Sequence, residues 1–123
     1  MREGFLVMIE QIIKRDGRTA PFDLDKIANA IFGAAQSVGG QDYEMAHELA
    51  EQVEKELEKT VSEKIPTVEQ IQDTVETVLI ESGHARTAKK YILYRNERTR
   101  VREMNTRLMK VYEDLTFKSS IEN

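Results

Sequence analysis

One stretch of the sequence, residues 12–31 (IIKRDGRTAPFDLDKIANAI), constrains the fold of this chain more than any other. Asp16-Gly17 is a strong signal for a two-residue hairpin turn, whose central residues both take a positive φ. Pro21 lacks a backbone donor, so the second strand of this hairpin is expected at a sheet edge. Asp23 can then cap a helix whose apolar residues recur at helical spacing. The stretch therefore predicts a strand, a turn, a strand and a helix in succession.

Basic side chains are concentrated in the same stretch. Lys14, Arg15 and Arg18 lie at the hairpin, and Lys26 lies in the first turn of the helix, where the helix dipole opposes a cation. A phosphate would relieve this arrangement, because helix N-termini and converging cations bind phosphate well. Alternatively, Lys26 pairs with an aspartate of the same helix start and the other cations are solvated turn charges. The residues alone leave both interpretations open.

Length and composition exclude several classes of protein. At 123 residues the chain is long enough for one domain with a real core, but short for a large enzyme. It has no cysteine, which rules out a thiol nucleophile, a disulfide or a zinc ribbon within it. We see no signal peptide and no apolar run of membrane-spanning length, so a cytoplasmic protein is expected. His47 and His84 are isolated, and neither a metal site nor a catalytic residue is predicted.

The small net charge of −4 hides two oppositely charged segments. Residues 42–81 contain 12 acidic and 3 basic residues, whereas residues 86–107 contain 8 basic and 2 acidic residues. The acidic segment argues against broad nucleic-acid binding. The basic segment could bind an anionic ligand or neutralise the acidic helices.

Helix signals divide the rest of the chain. The Gly-Gly pair at 39–40 ends the first helix, and Asp42 caps the second. Thr67 and Gln70 form a capping box for the third helix, which stops at Gly83. The apolar positions expected on the second and third helices are Ala46, Leu49, Ala50, Val53, Leu57, Val68, Ile71, Val75, Val78 and Leu79.

Two further segments have specific predictions. Residues 60–66 cannot be helical throughout, because Pro66 favours extended geometry before it, and two or three of them could add a third strand. The fourth helix begins near His84 and continues to about Leu115 with a sparse apolar pattern. That far end is expected to be exposed or to pair with another chain. The face expected to be buried near its start contains Ala85, Ala88, Tyr91 and Ile92, with Arg95 next on the same face.

The connection at residues 81–84 also has the length of a helix-turn-helix turn, and a basic helix follows it. However, the early side chains Ala85 and Thr87 are small, and the preceding helix is acidic. The apolar residues of the fourth helix also occupy the face that packing requires. Nucleic-acid binding, as a transcriptional regulator module, is therefore the less favoured alternative.

Four segments in the correct order and spacing resemble the ATP-cone domain: KRDG (14–17), PFDLDKI (21–27), TVEQIQ (67–72) and AKKYILYR (88–95). This family is an allosteric nucleotide-binding domain of many ribonucleotide reductases, and it also occurs in a bacterial repressor that has a zinc ribbon. The lack of cysteine favours the reductase. The resemblance implies a cone at residues 1–102. Residues 103–123 are then a helical extension, similar to the connection into the catalytic domain of anaerobic reductases.

The resemblance implies an α+β fold, in which a four-helix bundle is capped by a small three-stranded antiparallel sheet. It implies that ATP activates and dATP inhibits an anaerobic ribonucleoside-triphosphate reductase, with Mg²⁺ accompanying the nucleotide. The chain alone would not be an enzyme. Its implied partners are the catalytic domain of the reductase and further copies of the chain, with no membrane and no nucleic acid. A dimerisation block that has lost its nucleotide is a third possibility.

The resemblance also implies the residues of the site. Phosphate contacts are implied for Lys14, Arg15 and Lys26, and an adenine contact for Asp23. Two departures from aerobic relatives are Ala20 in place of a carboxylate and Glu97 in place of a lysine. The apolar walls would be Ile13, Phe22 and Ile27, the third-helix contacts Thr67 and Gln72, and the cations for a second triphosphate Lys89, Lys90, Arg95 and Arg98.

Overall fold

The structure, a computed structural model, describes residues 9–61 and 65–122, with side chains described for residues 9–60 and 65–116. Four helices and two short strands occur in this part of the chain. The expected α+β class is therefore confirmed. In chain order the elements are β1 (Gln11–Ile13), β2 (Thr19–Pro21), α1 (Leu24–Gln36), α2 (Tyr43–Val61), α3 (Val68–Glu81) and α4 (Ala85–Glu122).

The chain divides into two compact units, and the division falls within α4, after Tyr91. The first unit contains a single apolar core that runs from Ile9 to Tyr91 and includes side chains from all four helices. Its centre is α2, which packs against both α1 and α3. As predicted from the apolar stripe of α2, the buried side chains of this helix are Ala46, Leu49, Ala50, Val53 and Leu57.

The predicted helix caps are confirmed, because each depends on residues only two or three positions apart. The Asp23 carboxylate accepts a hydrogen bond from the Asp25 amide at the start of α1. Asp42 accepts from the Met45 amide at 3.1 Å at the start of α2. Thr67 and Gln70 form the reciprocal capping box at the start of α3. Each pair satisfies backbone donors that the first turn of a helix cannot satisfy internally.

The hairpin is confirmed, but the predicted two-residue turn is wrong. β1 and β2 are antiparallel, and the Lys14 amide donates to the Arg18 carbonyl at 2.7 Å, which leaves three residues in the loop. The Gly17 amide donates to the Lys14 carbonyl at 2.9 Å, and Gly17 takes a φ of +90°. A four-residue turn whose last residue is a left-handed glycine is the usual three-residue loop, and Asp-Gly suits it as well as the shorter turn.

The predicted third strand is not formed in the described residues, although part of the predicted segment, 62–64, lies outside them. The sheet has two strands. In place of a third strand, Ile13 makes one isolated parallel bridge to Thr67, and its amide donates to the Pro66 carbonyl at 2.9 Å. The sequence also predicts that the first strand begins at Val7, and this residue lies outside the described residues.

The fourth helix differs from its prediction at both ends. It extends to Glu122 rather than to about Leu115. Near its start, Ala88 and Tyr91 are buried as expected, but Ala85 is exposed and Thr87 is buried instead. With about 100° between successive residues, a face centred on these buried residues leaves Ala85 outside it. The apolar residues of the far end are exposed, as predicted: Val101, Met104, Leu108, Val111 and Leu115.

Candidate functional site

The hairpin is joined to the start of α3 by side chains as well as by the backbone. The guanidinium of Arg15 forms an ion pair with the carboxylate of Glu69, in the first turn of α3. Its second nitrogen, Nη2, donates to Gln72 Oε1 at 3.1 Å. Together with the bridge from Ile13 to Thr67, these contacts bring four of the predicted site residues to one place. The loop of the hairpin therefore lies against the N-terminus of a helix.

The start of α1 supplies the adjoining group of predicted residues. The Phe22 amide donates to the Glu10 carbonyl at 2.9 Å, which fixes the chain as it leaves β2. Phe22 is half-buried against the core, and Ile27 belongs to the core. Of the two proposed apolar walls in this segment, Phe22 is therefore the more accessible.

Lys26 makes no ion pair with any residue that the structure describes, and its side chain is exposed. The alternative in which it pairs with a neighbouring aspartate is therefore wrong. The Asp23 carboxylate accepts a hydrogen bond from the Asp25 amide instead. Lys14 also makes no ion pair within 4 Å among the described side chains. The ammonium groups of Lys14, at the hairpin, and Lys26, at the start of α1, thus have no carboxylate partner among the described residues.

Arg18, in contrast, is neutralised within the hairpin. Its Nε donates to Asp16 Oδ2 at 2.8 Å, and its backbone amide donates to Asp16 Oδ1 at 3.0 Å. The backbone hydrogen bond from Arg18 is the main cause that lowers the pKa of Asp16, with the Arg18 side chain and the charge of Lys14 adding to it. Asp16 therefore stays ionised and pairs with the one hairpin cation that was not predicted to bind phosphate.

The predicted cations of α4 are distributed over both units. Lys89 and Lys90 are exposed and belong to the first unit. Arg95 and Arg98 belong to the second unit, where Arg95 is half-buried and the Arg98 guanidinium lies 5.9 Å from the centroid of the Tyr94 ring. Their role in binding a second nucleotide stays a prediction.

Sequence reasoning missed Glu69, the residue that forms the ion pair with Arg15. Its only local signal is its position three residues before Gln72, which places both on one face of α3. The carboxylate of Glu97, the residue that stands in place of a lysine, accepts a hydrogen bond from Arg100 Nη2 at 2.9 Å.

Among the described residues there is no cluster of three or more histidine or acidic side chains able to hold a metal ion. None of the described helices is both long and apolar enough to span a membrane.

Comparison with known proteins identifies the family. The ATP cone domain family matches residues 10–100. The chain is 42% identical over 113 residues to a vitamin B12-dependent ribonucleoside-diphosphate reductase of Thermoplasma acidophilum, covering 88% of this chain and 14% of the relative. It is 36% identical over 111 residues to an anaerobic ribonucleoside-triphosphate reductase of Haemophilus influenzae, covering 90% of this chain and 16% of the relative.

A third relative is the ribonucleoside-diphosphate reductase subunit alpha of Chlamydia muridarum, with 38% identity over 101 residues. That alignment covers 75% of this chain and 10% of the relative. The chain thus spans less than a fifth of each of these reductases. The family match, however, takes in the hairpin, the first three helices and the first part of α4. This chain belongs to the ATP cone domain family.

Proposed function

We propose that this chain is an allosteric domain that binds ATP and dATP in competition, at a site formed by the hairpin and the starts of α1 and α3. ATP binding favours the activity of a ribonucleotide reductase, and dATP binding inhibits it. The catalytic residues belong to another part of that reductase. Among reductases, an anaerobic ribonucleoside-triphosphate reductase is the class we propose, for which the similarity to the Haemophilus influenzae protein is the support.

The observation that carries the proposal is the distribution of charge around the hairpin. Lys14 and Lys26 have no carboxylate partner among the described residues, and Arg15 is held at the start of α3 by Glu69 and Gln72. Two cations of the hairpin loop and one cation of the first turn of α1 could thus bind one polyanion, with Arg15 exchanging its contact with Glu69 for a phosphate. A triphosphate suits such a set, because charge-assisted hydrogen bonds to phosphate oxygens are about twice as strong as neutral ones.

The residues around these cations also suit a nucleoside. Ile13 and Phe22 are half-buried, so each presents some apolar surface beside the polar groups. Asp23 and Gln72 offer hydrogen-bonding side chains for the base or the ribose, and Thr67 lies at the bridge between the hairpin and α3. Mg²⁺ would be held through phosphate oxygens and water, as is usual for this ion.

Discrimination between ATP and dATP must depend on the one ribose hydroxyl by which they differ. Such a small difference can change activity only if it biases two arrangements of the protein, since a ligand shifts an equilibrium by its differential affinity alone. We propose that the ion pair between Arg15 and Glu69 is formed in one of these two arrangements and broken in the other. Its effect would reach the catalytic domain through the surfaces that the cone uses for assembly with other copies of the chain.

A second nucleotide is the proposed role of the basic residues of α4. Lys89 and Lys90 are exposed, so their ammonium groups are available to a ligand. The Arg98 guanidinium lies 5.9 Å from the centroid of the Tyr94 ring, and Arg98 and Arg95 are the other two cations of the proposed set. We keep the proposed boundaries of the cone and its extension at residues 1–102 and 103–123, and we also expect a cytoplasmic location.

Isothermal titration calorimetry with ATP, dATP and GTP tests the proposal. We expect ATP and dATP to bind and to displace each other, and the stoichiometry to give the number of nucleotides. Lys26→Ala should weaken binding roughly 10- to 100-fold, because a hydrogen bond to a charged group is worth about 1.5–3 kcal/mol. Lys55→Ala, an exposed lysine of α2 with no ion pair among the described residues, is the matched control.

The same titration with a DNA duplex separates the alternatives. If neither ATP nor dATP binds and the duplex does, the nucleic-acid alternative replaces this proposal. Thr87 and Ala88 are buried in the first unit, so these two side chains are not available to contact a groove of DNA. A mass that depends on concentration, with no heat from any nucleotide, would instead indicate a dimerisation block.

A further inference from the structure

A cavity lies in the first unit, at the end of α1 that is opposite to the hairpin. It is bounded by the end of α1, the connection to α2, the first turns of α2 and the turn between α3 and α4. Its volume is about 530 Å³, within the range of small-molecule sites. Because α1 is 13 residues long, about 20 Å of helix separates the two ends. The cavity therefore shares no residue with the proposed nucleotide site.

One wall of this cavity is aliphatic. Ile31 from α1 and Ala46 and Leu49 from α2 line it, and all three are buried members of the core. Met45 also lines it and is partly exposed. Because the three core side chains are almost fully buried, the apolar surface open to a ligand is that of Met45 and the half-buried Val38, and neither side chain donates a hydrogen bond.

The opposite wall is the N-terminus of α4, which differs from the other three helix starts. The amides of Ala85, Arg86 and Thr87 have no hydrogen-bond acceptor among the described residues, and the first intrahelical bond runs from the Ala88 amide to the His84 carbonyl at 2.9 Å. The first turn contains no acidic residue. Three backbone donors and the positive end of a helix dipole are therefore directed to this end of the cavity.

The Thr87 hydroxyl independently indicates a ligand. Thr87 is only 8% exposed and is the one buried polar side chain among the residues whose burial is described. It has no hydrogen-bond partner among them. Yet every side-chain nitrogen or oxygen that is sealed from solvent in the described part of the chain has a hydrogen-bond partner. The hydroxyl must therefore open onto free space, and the space that Thr87 lines is this cavity.

Arg86 adds a full positive charge beside these donors. Its side chain lines the cavity, is exposed and forms no ion pair with a described residue. A cation in the first turn of a helix is opposed by the helix dipole, so a bound anion would be stabilised by both. Asp42, the only acid among the described residues of the rim, already accepts a hydrogen bond from the Met45 amide.

We propose that this cavity binds a small amphiphilic oxyanion. Its carboxylate or phosphate head is bound by the amides at the start of α4, the Thr87 hydroxyl and Arg86. A short apolar chain lies against Met45 and Val38. Octanoate and octyl phosphate carry these two heads on the same chain, and their relative affinities identify the preferred head.

Titrations of the whole chain followed by two-dimensional ¹H–¹⁵N NMR test this site. We expect octanoate or octyl phosphate to shift the amide signals of residues 84–87, and octanol to bind at least tenfold more weakly. Thr87→Val and Arg86→Gln should each weaken binding about tenfold or more, because each removes a hydrogen bond to a charged group. Thr87→Val keeps the shape of a side chain that has no partner, so the variant should fold.

Two matched controls make the result specific. Arg107→Gln removes an arginine from α4 outside the cavity and should leave octanoate binding unchanged, as should Lys26→Ala in the other site. The proposal is overturned if octanol binds as tightly as octanoate, if inorganic phosphate and both amphiphiles leave the signals of residues 84–87 unmoved, or if the shifts follow dilution of the protein alone. The last result would mean that a second copy of the chain fills the cavity.

Discussion

The ion pair between Arg15 and Glu69 should oppose nucleotide binding, because the guanidinium cannot give its full charge to a phosphate while it is held by a carboxylate. Glu69→Gln keeps the shape of the side chain and removes the charge. The two side chains are 32% and 50% exposed, and an ion pair of such exposure is worth about 0.2–1 kcal/mol. Loss of this competition should tighten dATP binding by a factor of about 1.4 to 5.

The same substitution should destabilise the free protein, since the ion pair joins the hairpin to α3. A loss of up to about 1 kcal/mol lowers the melting temperature of a unit of this size by up to about 8 °C. Calorimetric titration with dATP measures the first effect, and a thermal melt without nucleotide measures the second. Glu48→Gln, an exposed glutamate of α2 without an ion pair among the described residues, is the matched control. Weaker dATP binding in the Glu69 variant would refute the reasoning, since it would mean that Glu69 assists the bound state.

Three further predictions concern stability. Gly17→Ala should cost about 1–2 kcal/mol in the free energy of unfolding, measured in urea, because the residue has a φ of +90° while nothing within 4 Å would obstruct the new methyl group. Leu57→Ala should cost about 2–5 kcal/mol in the same assay, because the fully buried side chain would leave a cavity in the core. The pKa of Asp16 is lowered in the folded state, so its stabilising effect should be fully present above its unfolded pKa of about 3.9 and lost as the pH falls through the lower folded value. Thermal melts of wild type and Asp16→Asn between pH 2 and 6 should therefore converge at the acidic end.

Features set by neighbouring residues were predicted correctly. The caps at Asp23, Asp42 and Thr67 depend on a side chain and an amide two or three residues apart, so the sequence contains both partners. The apolar stripe of α2 was equally clear, because 19 residues give several turns over which the period can be recognised. Lys26 was singled out for a physical reason, its unfavourable position at a helix start, and its part in a phosphate site stays a prediction.

Individual contacts between distant residues were not predicted. The contact of Arg15 with Glu69 joins residues 54 positions apart, and neither position shows its partner locally. The parallel bridge at Ile13 likewise depends on where α3 begins in space. The turn was misjudged because Asp-Gly fits two loop lengths and the register of the strands decides between them. At the start of α4, the sequence pattern does not determine which side of the helix packs against the core. For this reason Ala85 was wrongly expected to be buried.

The hydrogen bond from Ile13 to Pro66 makes one amide proton a reporter on the hairpin. The nitrogen of Pro66 carries no hydrogen, so it has no N–H with which to reciprocate, and the described backbone link between β1 and the segment before α3 is a single hydrogen bond. The exchange rate of the Ile13 amide with deuterated solvent therefore measures how often the hairpin separates from α3. Comparing this one rate with ATP and with dATP would show whether the two nucleotides close the hairpin to different extents.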